Sequence, residues 1–473
     1  MLACSDFSVN KMNNVELDAQ VIALDAMRAP AFSDEALAQR FASEYARNFR
    51  YVAAWSKWLF WDGKRWIYDD TLRAFDRVRK ICREAAAECN KPKVASLLAS
   101  AKTVAAVERL PKSDRRLAAT ADQWDRDPQL LNTPGGVIDL QTGARRPHRP
   151  EDYMTMITAA ASGGACPTWH RFLDRVTDGN EPLKDFLKRM AGYCCTGSTR
   201  EHALFFQYGT GANGKSVFIN TLSGVLGTYH RTAPIETFTA SKGERHPTDL
   251  AGLRGARLVT AVETEEGRRW AESKIKALTG GDKIAARLMR QDFFEFTPQF
   301  KLLIAGNHKP GLRSVDEAIR RRFHLIPFTV TIPHDKRDET LTQQLQAEWP
   351  GILAWIVEGC AEWLELGLRP PEIVAAATGA YLESQDAFAA WIEEACDRDA
   401  NAWESKTALF ESWSKWGTAA GEYVGTRPRF LDALETRGFQ QHRKAGTGDR
   451  GFLGLKIRLP AVTNLYWQDR DSP

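Results

Sequence analysis

Among its eight cysteines the chain has no CxxC pair, and Cys194 and Cys195 adjoin each other rather than standing at a metal-binding or easily bridged spacing. They read as reduced, structural thiols. No apolar run approaches the roughly eighteen residues that a membrane span needs, and acids and polar residues occupy the N-terminus where a signal peptide has an apolar core. Secretion and membrane spanning are excluded as expectations, and the cytoplasm is the expected place. Internal repeats are lacking too, and so is a strong charge of one sign: the net charge is +4 over 473 residues. Any nucleic-acid binding has to come from local patches rather than a global field. What is present is apolar content, 43% of the residues, enough for real cores in two to four domains.

One segment decides most of the reading: Gly209, Thr210, Gly211, Ala212, Asn213, Gly214, Lys215, Ser216. Glycines at both ends followed by Lys and Ser fit a loop that wraps a triphosphate in backbone N–H groups at a helix start. Ala203 to Phe206 reads as a buried strand leading into it, and Phe218, Ile219, Leu222, Val225 and Leu226 recur at helical spacing after it. Strand, loop and helix therefore come in the order the chemistry needs. Lys215 is expected to reach the outer phosphates of ATP, and the Ser216 hydroxyl to ligate Mg2+.

Hydrolysis also needs a metal-holding acid and a group that polarises water. Arg257 to Val262 is an apolar strand ending in Glu263, with Glu265 and Glu266 just beyond. Glu263 is the candidate for holding magnesium through water or activating the attacking water, with Glu265 sharing the work. A second strand, Phe300 to Ala305, ends in Gly306 and Asn307, whose amide can orient water near the outermost phosphate. Arg320, Arg321 and Arg322 follow in a row. One such guanidinium reaching a neighbouring subunit's nucleotide stabilises transition-state charge; a solvated basic run is the plainer alternative. Between acid and Asn, apolar and polar residues alternate on either side of Arg290, Gln291 and Asp292, which predicts a hairpin with a basic tip. Lys283, Arg287 and Arg290 on it are candidates for gripping DNA phosphates, and a purely structural hairpin is the competing reading.

Punctuation divides the chain into residues 1–40, a tail; 41–160, an α+β accessory domain; 166–330, an α/β nucleotide-binding core with preceding helices; 331–395, a helical connector; and 396–473, two helices and a hairpin suiting a winged-helix-like domain. Within them the patterns predict a hairpin at Asp62-Gly63, helices over 72–90 and 94–110, a turn at Asn132 to Gly136, a basic loop at Arg145 to Arg149 and a small-residue linker from Ala159 to Pro167.

Five words in order, residues 209 to 216, Leu253 to Glu266, Ile275 to Asp282, Lys301 to Pro310 and Arg321 to Phe328, resemble superfamily 3 helicases, and within them the poxvirus, phage and plasmid primase-helicase family. The resemblance covers Val52 to Phe328 well and the tail loosely. It implies a P-loop core of AAA+ type, a ring, usually a hexamer, with ATP between subunits, Arg321 or Arg322 as the finger in trans, and basic hairpins walking along single-stranded or forked DNA. Such a motor unwinds duplex during replication of a phage, plasmid or integrated mobile element. The chain departs from the family in showing no primase domain ahead of the accessory unit, so a separate primase is the expected partner. A nucleotide-gated origin-binding or loading module, and a phage packaging or defence motor, are the alternatives.

Overall fold

The computed structural model describes residues 29–240, 248–263, 268–287, 292–312, 315–422, 424–444 and 448–458. Glu265, Glu266, Arg290 and the turn at 446–447 lie outside them, as does the side chain of Glu263.

The N-terminal body begins with α1 (Asp34–Tyr45), started by the Ser33 hydroxyl, which accepts the Ala36 N–H at 3.1 Å. Leu37, Ala38 and Phe41 of this helix pack on Val78 and Ile81. The accessory unit thus starts before Phe41. Strands β1 (Phe49–Val52), β2 (Lys57–Trp61) and β3 (Trp66–Tyr68) form a meander in which Trp61 faces Trp66 across the predicted Asp62-Gly63 turn. Next come α2 (Arg73–Glu88), α3 (Pro92–Leu98) and α4 (Ala101–Arg109). The single helix expected over 94–110 is two, because the Ser100 hydroxyl accepts the Thr103 N–H and caps a new start. Strand β4 (Ala118–Ala119) joins β1 in parallel.

β5 (Leu130–Thr133) and β6 (Gly136–Asp139) close the turn expected at 132–136. The basic loop expected at 145–149 begins instead as β7 (Arg145–Arg146), paired with β6, and Arg146 grips Asp152 through two hydrogen bonds of 2.7 and 2.8 Å. The small residues from 159 to 167 are packed, not a free linker. Ala159 donates its N–H to Val225 O, Gly163 to Pro350 O, and a Cβ on Gly351 would sit 2.4 Å from Ala165 O. Small side chains let three backbones meet there.

The central body opens with α5 (Pro167–Thr177) and α6 (Glu181–Cys195), then runs β8 (Leu204–Tyr208), α7 (Lys215–Leu226), β9 (His230–Thr232), β10 (Leu258–Glu263), α8 (Glu272–Gly280), the hairpin β11 (Ile284–Ala286) and β12 (Phe294–Phe296), β13 (Lys301–Gly306), α9 (Glu317–Arg320) and β14 (Phe323–Pro327). Strands β14, β8, β13, β10 and β9 lie side by side in that order, all parallel. Every residue of β13 is buried, the mark of a parallel strand covered on both faces. Helix α10 (Trp349–Leu366) packs against α6 backbone to backbone: a Cβ on Gly192 would lie 2.1 Å from Cys360 N, and one on Gly359 2.2 Å from Lys188 O. Arg257, 2% exposed, donates to the carbonyls of Cys195 and Leu130, at 2.8 and 2.6 Å, tying this body to the N-terminal one.

After α11 (Glu372–Ser384), the C-terminal body comprises α12 (Ala387–Ala395), β15 (Cys396–Asp397), β16 (Trp403–Ser405), α13 (Lys406–Ala419), α14 (Arg427–Thr436), β17 (Gln441–Arg443), β18 (Arg450–Leu453) and β19 (Lys456–Ile457). Its core joins Phe388 and Trp391 of α12 to Trp413, Phe430 and Phe452, so the body begins nearer residue 387 than 396. Asp386 caps α12, accepts from Arg437 at 2.6 Å and stands 4.0 Å from Arg320 of the central body. Among the described residues no helix is long and apolar enough to cross a membrane.

Candidate functional site

In an open parallel sheet, ligands bind beyond the carboxyl ends of the strands where the winding changes direction. Here β8 is flanked by β13 and β14, while its sequence successor β9 lies at the far edge. The loop after β8 therefore opens at that position. Gly211 and Gly214 sit at φ +107° and +85°, and Ala212 at +49°. Only glycine takes the first two without strain. A Cβ on Gly209 would lie 2.0 Å from Phe328 O and one on Gly214 2.5 Å from Val176 Cγ1, whereas Gly211 faces open space. The loop is pinned from behind by Asn213, whose amide donates to Phe328 O at 2.7 Å, and by the Ile332 N–H on Ala212 O.

Lys215 opens α7 and is 7% exposed. Its ammonium donates to Gly209 O at 2.7 Å, Asn213 Oδ1 at 3.0 Å and Asn307 Oδ1 at 3.2 Å. All three acceptors are neutral. Burial pushes its pKa below the usual lysine value, a cost that a bound anion would remove. Thr210, Ser216 and Asn307 are exposed around it.

The register brings the other candidates to the same edge. Tyr208, Gly306 and Glu263 are Cα partners across β8, β13 and β10, so the Glu263 backbone stands level with the residue before Asn307. The arginine run divides. Arg321 is exposed, whereas Arg322 is 6% exposed and donates to Thr279 Oγ1 at 3.1 Å and Ala318 O at 2.7 Å within its own chain. Arg322 is built into the core of this chain, whereas Arg320 and Arg321 are exposed, Arg320 standing 4.0 Å from Asp386.

The expected hairpin forms: Ile284 pairs with Phe296 and Ala286 with Phe294. Lys283 is exposed, and Arg287 lies over the Phe293 ring at 4.9 Å. Phe293, 60% exposed, escaped the sequence reading although an aromatic beside a basic tip is a stacking signal. Lys309 was missed as well. Its ammonium sits 4.0 Å from the centre of the ring of Tyr208, the residue before the loop.

Two family models match: residues 38–178 fit "D5 N terminal like", and residues 207–322 fit a family of unknown function. The second spans the loop, the acid strand, the hairpin and the arginine run. Among curated proteins the chain is 24% identical to "Putative helicase L207/L206" of Acanthamoeba polyphaga mimivirus, over 67% of this chain and 35% of that protein. It is 27% identical to "Putative helicase 022R" of Frog virus 3 (isolate Goorha), over 53% of this chain and 28% of that protein. The chain spans about a third or less of the length of these relatives. Among solved structures, the apo C terminal region of NrS-1 aligns with a TM-score of 0.49 at 10% identity, covering 88% of this chain and 98% of that one. The chain is thus similar, over part of its length, to the D5 N-terminal-like family model and to viral proteins named as putative helicases.

Proposed function

We propose that this chain is an ATP-dependent DNA helicase motor that acts as a ring, translocates on single-stranded DNA and serves replication of a viral, plasmid or integrated element. The observation that carries the reading is Lys215: a buried ammonium bonded only to neutral oxygens, at a helix start beneath a positive-φ glycine loop, at the ligand edge of a parallel sheet. The residues fit a magnesium–nucleotide: the loop leaves open space at Gly211, and the Ser216 hydroxyl is exposed at the head of α7. The bound group supplies the phosphoanhydride bond whose cleavage drives movement.

The chain's own residues bind and orient. N–H groups from Gly209 to Ser216 would cradle the phosphates, Lys215 would neutralise the outer ones, and Ser216 and Glu263 would hold the metal. Glu263, seconded by Glu265, takes the proton from the attacking water, and Asn307 fixes that water's position. Arg321 of a neighbouring copy completes the site by stabilising charge as the terminal phosphoryl group leaves. Lys283, Arg287 and Arg290 hold DNA phosphates without reading bases, and Phe293 stacks on a base.

The test is unwinding of forked DNA by the intact protein with excess ATP. Wild type is expected to separate strands and Lys215→Ala to separate none. Strand separation by that variant, or ATP turnover without separation by wild type, overturns the motor reading, and the latter outcome selects a loading module.

A further inference from the structure

We propose that the C-terminal body carries a second nucleic-acid surface, a dock for the phosphate backbone of duplex DNA built from Lys406, Arg427, Arg443 and Arg450. In the hairpin of β17 and β18, Arg443 and Arg450 are direct Cα partners, both exposed. Like charges placed opposite each other on paired strands destabilise the pair. Neither guanidinium has a carboxylate within ion-pairing distance among the described residues. Side chains alternate along a strand and Cα partners share a face, so these two arginines lie on the face of Gln441 and Phe452, the face turned toward the helices.

On that face the contacts run continuously into the helix pair. Lys406, at the head of α13, donates to Gln441 Oε1, and its ammonium lies 5.7 Å from the Phe452 ring centre. Arg427, at the head of α14, donates to Thr407 Oγ1 at 2.7 Å. Neither helix has an acid in its first turn, where the helix dipole would favour one, and α14 carries exposed Arg429 there as well. Of the nearby acids, Asp432 and Glu435 lie further along α14 and Asp449 precedes Arg450, while Glu404, the Cα partner of Phe452, shares the face and accepts the Ser405 N–H. Lys444 is turned away, its ammonium 5.1 Å from the Trp403 ring centre. The surface thus gathers cations that a polyanion would neutralise.

Duplex DNA is the polyanion that fits. A grip on single strands uses exposed aromatics on which bases stack, and Phe293 of the central body is the only exposed large aromatic besides Tyr68 among the described residues. The C-terminal surface has cations without a stacking platform. The wide major groove of B-form DNA admits a helix, whereas that of duplex RNA is too narrow, so a cationic surface headed by two helices suits duplex DNA.

The experiment uses the full-length protein without nucleotide and compares a blunt DNA duplex with oligothymidine of equal length by fluorescence anisotropy across a salt series. For Arg443→Ala with Arg450→Ala, duplex affinity is expected to fall about tenfold, and the slope of log K on log salt to become shallower by about 2. Oligothymidine binding and melting temperature stay as in wild type, and the paired Lys variants retain duplex binding. Unchanged duplex affinity and slope, or equal losses on both DNAs, overturn the proposal. Because nucleotide is absent, and Lys215→Ala is expected to bind duplex like wild type, this outcome is separable from failure of the motor reading.

Discussion

Strand β13 has a buried lysine near each end, and the two ends of the strand differ in kind. At its start Lys301, 1% exposed, donates to the carbonyls of Thr196, Ser198 and Gln299 and stands 4.9 Å from the Tyr193 ring centre. Just past its finish, Asn307 accepts from Lys215, which bonds three neutral oxygens in all, as Lys301 does. Counting partners does not tell these cations apart. The difference is access: Lys301 is sealed among Cys194, Cys195 and Cys360, whereas Lys215 heads a helix, under a glycine loop, beside exposed Thr210, Ser216 and Asn307. A buried charge becomes a binding site only where unpaired donors and an open path accompany it.

Mutating both ends breaks or sharpens that contrast. Lys215→Ala is expected to cut ATP hydrolysis by on the order of 10³-fold or more with no loss of melting temperature; a large loss of stability would make it a structural lysine like its counterpart. The same division runs through the arginines. Arg321→Ala should lower ATP turnover by roughly 10²- to 10³-fold while nucleotide affinity, read by titration, holds within a few-fold. Arg322→Ala should instead lower stability by about 1–3 kcal/mol in denaturant unfolding, since it leaves Thr279 and Ala318 without their donor. Lys301→Ala should cost on the order of 2 kcal/mol with the chemistry at the other end of the strand intact in the folded fraction.

The last contrast is in pH. Burial pushes the Lys301 pKa down to about 7, against the pull of the neighbouring Cys194 and with the Arg257 guanidinium adding to the depression. Between pH 7 and the ordinary lysine value the unfolded chain binds the proton more tightly than the folded one, so stability rises with pH through that window and levels off below it. Denaturation midpoints at pH 7 and 9 should show the rise in wild type and less of it in Lys301→Met; equal rises would remove Lys301 as the cause.

Much of the site was legible because its demands are local. A phosphate loop needs glycines at fixed offsets between a strand and a helix, and those offsets stand in the chain from Gly209 to Ser216. The pairing of β8 with β13 rather than β9 was not legible, because parallel order is set by long crossovers and not by neighbours in sequence. Nor could three consecutive arginines be sorted: Arg322 is fixed by Thr279, which is remote in sequence. The break at Ser100 was missed because a good apolar period hides a capping serine. The edges of the bodies at Asp34 and Ala387 lie where helices lend apolar faces to cores that begin before the composition changes.

The glycine contact between α6 and α10 has a mechanical consequence. Where helices touch through side chains, rotamers can repack and let them slide; at Gly192 and Gly359 main chain meets main chain, with nothing in between to yield. The two helices therefore form one stiff spar behind the sheet. Slip between them is disfavoured, so the pair moves as one body if it moves at all.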